Sequence, residues 1–475
     1  MAAGAGVFHV AMLSLAGCQA TLPNVPADAA KLTGIQNAIT FHQNTFDPAD
    51  RSGITGQLTL ADAIRQTLAN DPRIQSALAH VRMAEADANQ ARLLPNPILS
   101  VDIRMPAQPG VNTTVEATLT DDLISLLQKP SQIAAADKRL RESAGDALTT
   151  VLDVLAEVQV AYATAGAIDA QIAWTNQRND ILQHVRTIAQ KRLNAGDTTR
   201  LDLVTVDAQL VQARLDLADL QLQRTEQYLL LAKLTGHPRA ALDWTVAPLP
   251  NPPPEAIADE NAWIDAALIH RPEIASHVWE LRALGDDLTT TSLAPFIGGD
   301  LGPHAEHDPL WRVGPSFTTP LPIFDWGQAG RAKVIAQRIA ARHDLALEQM
   351  NIIQEVRLAY ATYQQTLATL REAQAQLLPL QKQQLDQAQL AYQTGDTDLT
   401  TLLLAQTDFQ TAAARLVDFQ QRALIARVKL QRAAGGAAIA AQLHPPTTAP
   451  ASAPSPETEP APVTTTLPAP IGISP

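Results

Sequence analysis

The stretch EVQVAYAT, Glu157 to Thr164, returns 198 residues later as EVRLAYAT, Glu355 to Thr362. Landmarks on either side return at nearly the same distance. Gly196-Asp197-Thr198 reappears as Gly395-Asp396-Thr397, 199 residues on, and Pro72 and Ile74 reappear as Pro272 and Ile274, 200 residues on. Convergent coiled-coil composition could imitate the helical parts, but not the matching breaks. The chain therefore reads as an internal duplication with a period of about two hundred residues.

Around the first copy, the pattern predicts a helix from about Ser131 to Leu193 with no proline inside it. At 1.5 Å per residue it reaches roughly 95 Å, three times the hydrocarbon thickness of a bilayer. Asn194-Ala195-Gly196-Asp197 breaks it, and a return helix runs from about Thr199 to Leu234. Upstream, helical periodicity begins at Leu58, pauses at Asp71-Pro72 and ends at Pro95-Asn96-Pro97. Ile98 to Arg104 then alternates apolar and polar residues, as does Thr113 to Leu119, predicting two strands joined by a loop through Pro106 to Asn112.

The second half predicts the same order. A helix spans Trp263 to Thr290 with a joint at Arg271-Pro272. Strands follow near 295–300 and Trp311–Thr319, with Pro303 and Pro309 in the loop between them. A long helix, Gln328 to Tyr392, and a return helix, Thr400 to Arg432, complete it. The fold class is thus mainly α with a small β part, a duplicated strand–strand–helix–turn–helix repeat. The repeats occupy 58–247 and 259–436, joined by a Pro-rich link at 248–258. An extended lead-in at 18–57 precedes them, and a disordered Pro/Thr/Ala-rich tail at 437–475 follows.

Apolar residues make up 46% of the 475, yet aromatics only 4%, so the apolar content is Ala, Leu and Val. That composition suits narrow helix–helix seams. Leu402, Ala405, Phe409, Ala412, Leu416, Phe419, Ala423, Ala426 and Leu430 alternate spacings of three and four, as do Leu203, Val206, Leu210, Ala213, Leu217 and Leu220. Each return helix therefore packs antiparallel on the long helix before it, with Gly196 and Gly395 at the tips. The net charge of -13 excludes a nucleic-acid partner, whose phosphates need a basic face.

One cysteine excludes an internal disulfide and a multi-Cys metal site. It closes the apolar run through Leu13, Leu15, Ala16 and Gly17, so residues 1–17 read as a lipoprotein signal peptide and Cys18 as the acylated residue, although no basic residue precedes the run. Gln19 follows it, and the absence of Asp there resembles lipoproteins sent to the outer membrane. No other uncharged apolar run of about 18 residues occurs, so any membrane crossing falls to the strands. Four short strands cannot close a barrel, and open edges are not tolerated in lipid, so copies must pool their strands.

The quoted repeat, LLPNPILSVDI (Leu93 to Ile103), PLPIFDWGQAGRA (Pro320 to Ala332) and the tips NAGDTTRLDLVTVDAQ (Asn194 to Gln209) and QTGDTDLTTLLLAQ (Gln393 to Gln406) resemble the TolC family of outer-membrane efflux proteins. The LLPNP ending is most similar to its heavy-metal efflux branch. The resemblance covers roughly residues 58 to 436. It implies a homotrimer, with a shared transmembrane β-barrel above a coiled-coil tunnel that extends into the periplasm. It also implies a periplasmic adaptor protein, an inner-membrane pump of the resistance-nodulation-division type, and passive conduction of drugs or metal ions. Carried onto this chain, the adaptor-contact tips are Gly196, Asp197, Thr198, Gly395, Asp396 and Thr397. Turn and cap chemistry alone also explains these residues. The aspartate ring that closes some family members matches Thr401 and Leu404 here, so the constriction falls to Asp396, Asp398 or an apolar ring at Leu404. Asp202 matches the pattern in the first tip.

His304, Glu306, His307 and Asp308 fall in the expected loop between the second-half strands. The spacing of His304 and His307 could hold a divalent cation, the alternative being solvated polar residues. The sequence carries no Gly-rich phosphate loop, nucleophile elbow or His-Glu-x-x-His pattern, so no enzyme and no cofactor are assigned. Two other classes are weighed. A periplasmic adaptor lipoprotein should have one hairpin inside β-rich domains, and a structural coiled-coil filament needs no strand pairs.

Overall fold

A computed structural model describes residues 20–36, 39–43, 53–105, 107, 113–196, 198–250, 258–307 and 310–443. Cys18 and Asp197 lie outside the described residues, as do Asp308, most of the 248–258 link and everything beyond 443. In chain order the elements are α1 (Val25–Thr33), β1 (Gln57–Leu58), α2 (Leu60–Asn70), α3 (Pro72–Arg92), β2 (Ile98–Arg104), β3 (Thr114–Asp122), α4 (Leu123–Ala195) and α5 (Arg200–Leu234). Then come β4 (Thr245–Val246), α6 (Glu260–His270), α7 (Pro272–Leu293), β5 (Asp300–His307), β6 (Trp311–Thr318), α8 (Gln328–Glu372), α9 (Leu378–Thr394), α10 (Leu399–Ala433) and α11 (Ala437–Leu443).

The repeated octapeptide anchors each half at mid-height. Tyr162 Oη donates to the Leu58 carbonyl at 3.0 Å, and Tyr360 Oη donates to the Ala258 carbonyl at 3.2 Å. Glu157 pairs with Arg73 at 2.6 Å, and Glu355 pairs with Arg271. Glutamate thus holds the joint between the two short helices of each half against the long helix, and tyrosine holds the segment leading into the first of them. The partner charges are inverted between the halves: Asp71-Pro72-Arg73 in the first, Arg271-Pro272-Glu273 in the second. The residue before proline is buried in both, Asp71 bonded to Arg73 and Arg271 to Glu273. Arg432 then joins Glu273 to Asp153, so α10, α7 and α4 share one ionic network.

Above this level α3, α4, α7 and α8 lie side by side as a single wall, and below it α4, α5, α10 and α9 do. Leu182, Val185, Val206, Leu210 and Ala213 pack with Leu385, Ala388, Tyr392, Leu402 and Phe409 in the lower wall. One window of α4 is long and apolar enough on average to cross a membrane, although no uncharged run of that length occurs in the helix. It is 67% buried against neighbouring helices, so its apolarity serves the wall.

Five boundaries differ from expectation, each for a local reason. The lead-in contains α1, because Asn24 accepts from Ala27 N at 3.1 Å, Pro26 sits in the first turn and Gly34 closes the helix at φ 76°. Helix α4 starts at Leu123, not Ser131. Asp122 caps it through Ile124 N and Ser125 N, and Pro130 is carried inside the helix. The second long helix is not continuous. A π turn at Ala373–Leu377 precedes Pro379, whose ring and missing N–H disturb the normal ladder. The expected strand near 295–300 lies instead at Asp300–His307, since residues 294–296 form a 3-10 turn and Gly298 takes φ 91°. Finally, Ala437–Leu443 is helical rather than part of a disordered tail, with Ile439 and Ala440 buried near α1 and α6.

Candidate functional site: the strand sheet and the helical tips

Four strands form one antiparallel sheet in the order β2-β3-β5-β6. Directly opposed residues share a face. One face therefore carries Leu99, Val101 and Ile103, then Val115, Ala117 and Leu119 with Asp121 at the helix end, then Leu301, Pro303, Ala305 and His307, and finally Trp311, Val313, Pro315 and Phe317. The other carries Ser100, Asp102 and Arg104, Glu116 and Thr118, His304 and Glu306, Arg312 and Ser316. An apolar face opposite a polar one, with Val313 75% exposed and Leu99 66% exposed, suits lipid on one side and water on the other. Among the described residues, both outer strands, β2 and β6, keep one edge unpaired.

Pro303 had suggested a loop, yet it lies in β5. The β3–β5 ladder is interrupted between Thr118↔His304 and Asp121↔Leu301, where proline has no N–H to give. That correction also removes the expected metal pair. His304 and His307 are three positions apart in a strand and so face opposite sides. The His304 ring is bonded to Thr118 Oγ1 at 2.8 Å, and the His307 ring packs on Trp311 at 5.0 Å. Among the described residues, no group of three His, Cys, Asp or Glu side chains could hold a metal ion.

At the far end, Gly196 and Gly395 close their helices at φ 84° and 83°, a left-handed conformation that glycine adopts without strain. Among the described residues nothing lies within 4 Å of a Cβ built on either, so backbone conformation calls for glycine. Asp202 accepts from Thr199 N at 2.9 Å and from Thr198 Oγ1 at 2.7 Å, which hold its carboxyl below the usual range. Asp398 caps α10 through Thr401 Oγ1 at 2.7 Å and Thr401 N at 2.9 Å, and these bonds lower its pKa. Asp396 accepts from Thr394 Oγ1 at 2.6 Å.

The fold brings the two tips together. Arg192 lies 4.4 Å over the Tyr392 ring and donates to the Tyr392 carbonyl, and Asp202 is close enough to Asp398 to oppose its ionisation. Thr401 and Leu404 are exposed, Leu404 by 59%.

A second apolar ladder on α5 escaped the sequence reading. Leu201, Val204, Ala208, Val211, Leu215, Ala218 and Leu222 alternate spacings of three and four, two positions before the predicted seam, and all are exposed. The signal was available as a repeat of the seam shifted by two, which marks a helix packed on two sides.

The family of outer membrane efflux proteins matches residues 63–237 and 263–436, the two halves of the duplication. The chain is 26% identical over 423 residues to the pyoverdine export outer membrane protein OpmQ of Pseudomonas aeruginosa, covering 80% of this chain and 86% of that one. It is 23% identical over 368 residues to the cobalt-zinc-cadmium resistance protein CzcC of Cupriavidus metallidurans, covering 76% and 86%. Its fold is similar to that of the outer-membrane channel OprN (TM-score 0.64, 19% identity, 86% of this chain and all of that one). It is equally similar to CusC (TM-score 0.66, 17% identity, 84% and 99%). The duplicated strand pairs and hairpins are therefore those of an outer-membrane efflux channel, and the chain belongs to the outer membrane efflux protein family.

Proposed function

We propose that three copies of this chain close into one duct, a twelve-stranded barrel in the outer membrane continued by a helical tunnel into the periplasm. The observation that carries this reading is an unfilled place in the internal symmetry. Helix α10 packs on α4 and carries its own shifted ladder, in which Leu403, Gln410 and Val417 are buried. Gln421 donates to Thr164 on α4 at 3.1 Å, and Phe409 meets Trp174 edge-on at 6.0 Å. The equivalent ladder on α5 is bare, and so is Thr362 on α8, the repeat counterpart of Thr164. A neighbouring copy that presents α8 and α9 to α5 repeats the α4–α10 contact. It also brings the free edge of β6 to the free edge of β2.

In this assembly the tips at Gly196, Asp197, Thr198, Gly395, Asp396 and Thr397 meet a periplasmic adaptor. The constriction is set by Asp396, Asp398, Thr401 and Leu404, with Asp202 beside Asp398. An inner-membrane pump of the resistance-nodulation-division type supplies the energy, and Cys18 carries the lipid anchor. The relatives' names cover pyoverdine export and cobalt-zinc-cadmium resistance, unlike cargoes for one architecture, so we assign the choice of cargo to the pump.

The test is the mass of detergent-extracted protein. Wild type should run at three times the chain mass, and Leu215→Glu with Leu222→Glu should release single chains. A single-chain wild type, or a double variant that remains trimeric, would overturn the reading.

A further inference from the structure

One row of the sheet's polar face is unlike the others. Asp102, Glu116, Glu306 and Arg312 are directly opposed across all four strands. Three carboxylates thus stand side by side at strand spacing, an arrangement that like-charge repulsion penalises. Two arginines relieve it. Arg104 pairs with Glu116 at 2.9 Å, and Arg312 lies 3.7 Å from Glu306. The next row toward the helices, Ser100, Thr118, His304 and Gly314, has no acid, and at the helix end of the face Asp122 is opposed to Asp300 and occupied in capping α4. The three carboxylates of the row cap no helix, so local structure does not account for them.

We infer that this row is the ion-discriminating band of the barrel and that it favours cations, an inference that rests on the channel reading above. The apolar face must meet lipid, so the row faces the water-filled interior. Each chain contributes Asp102, Glu116 and Glu306 against Arg104 and Arg312, a net charge of -1, repeated around the opening by each copy. A closed barrel of this strand number has a backbone radius of about 12 Å. The Debye length is about 30 Å at 0.01 M salt and about 3 Å at 1 M, so the band acts across the whole opening in dilute salt and only near the wall in concentrated salt. Arginine pairing makes the band weakly rather than strongly negative. It therefore discriminates without trapping a cation.

The experiment is the reversal potential of the purified channel in planar bilayers under a potassium chloride gradient at low ionic strength. Wild type should favour potassium over chloride, with the preference fading toward 1 M salt. The triple variant D102N/E116Q/E306Q leaves only arginines in the band and should lower the cation preference several-fold, since Asp122, Asp300 and the tip aspartates stay in place. R104Q/R312Q removes the positive charges and should raise the cation preference several-fold. If the triple variant is lost in folding, E306Q alone should still move the potential toward zero. Variants that conduct with an unchanged reversal potential overturn the band. A wild type that never conducts overturns the channel reading instead, so the two failures are distinguishable.

Discussion

Glu142 on α4 gives the fold a pH dependence whose direction can be derived. It lies between α4 and α7, where burial, then Glu280 and Asp146, push its carboxyl up to about 7, with Arg139 and His277 acting the other way. The unfolded chain releases this proton near 4.5. A carboxyl raised in the folded state keeps its proton longer there. Folding is therefore unpenalised below the unfolded value, loses stability as pH climbs through the interval, and is flat above about 7. The interval corresponds to roughly 3 kcal/mol per chain, reduced by partial solvation to about 2 kcal/mol. Glu273 has the opposite sign. Its paired arginines hold it down to about 2 despite burial, so its contribution is lost only as pH falls below about 4.5. Between pH 5 and 8 the Glu142 effect is thus separated from that of Glu273. Thermal unfolding of detergent-extracted protein should show wild type less stable at pH 8 than at pH 5. Glu142→Gln should remove most of that difference, gaining at pH 8 and matching wild type at pH 5. An equal pH difference in both proteins would refute the reasoning.

Two further outcomes follow from packing. Arg271→Met should cost about 3 kcal/mol, because the guanidinium site is only 4% exposed and Glu273, 14% exposed, loses its two-pronged partner. Arg357→Met, in a pair with Glu260 that is 67% and 36% exposed, should cost about 1 kcal/mol or less, and chemical denaturation compares the two. A Cβ on Gly145 would lie 2.3 Å from Ser276 Oγ, so Gly145→Ala should force α4 from α7 and lower the unfolding temperature. Gly285→Ala, with nothing within 4 Å, should leave that temperature unchanged or raise it.

Periodicity made the long elements legible from sequence, because wall helices bury regular stripes and the duplication supplied every break twice. What stayed hidden depended on which N–H groups had partners. Pro303 and Pro130 read as interruptions, yet one falls in a gap of its ladder and the other is carried within a helix already capped by Asp122. The prolines at 26 and 379 mislead in opposite directions, one starting a helix and the other straining one. At the tips the glycines were legible, since φ near 83° leaves few alternatives. The approach of Asp202 to Asp398 was not, because it depends on how two distant hairpins lie against each other. The charged row was equally hidden. Its four members are up to 210 residues apart, and only strand register lines them up.

The two unpaired strand edges have a consequence for inheritance and dosage. On the proposed assembly a lone chain has no way to hide those edges in lipid, so entry into the membrane is counted in whole assemblies. A substitution that spoils the barrel without preventing assembly therefore acts on its neighbours as well as on itself. In the proposed three-copy duct, with half the chains altered, only about one assembly in eight is built wholly from intact copies.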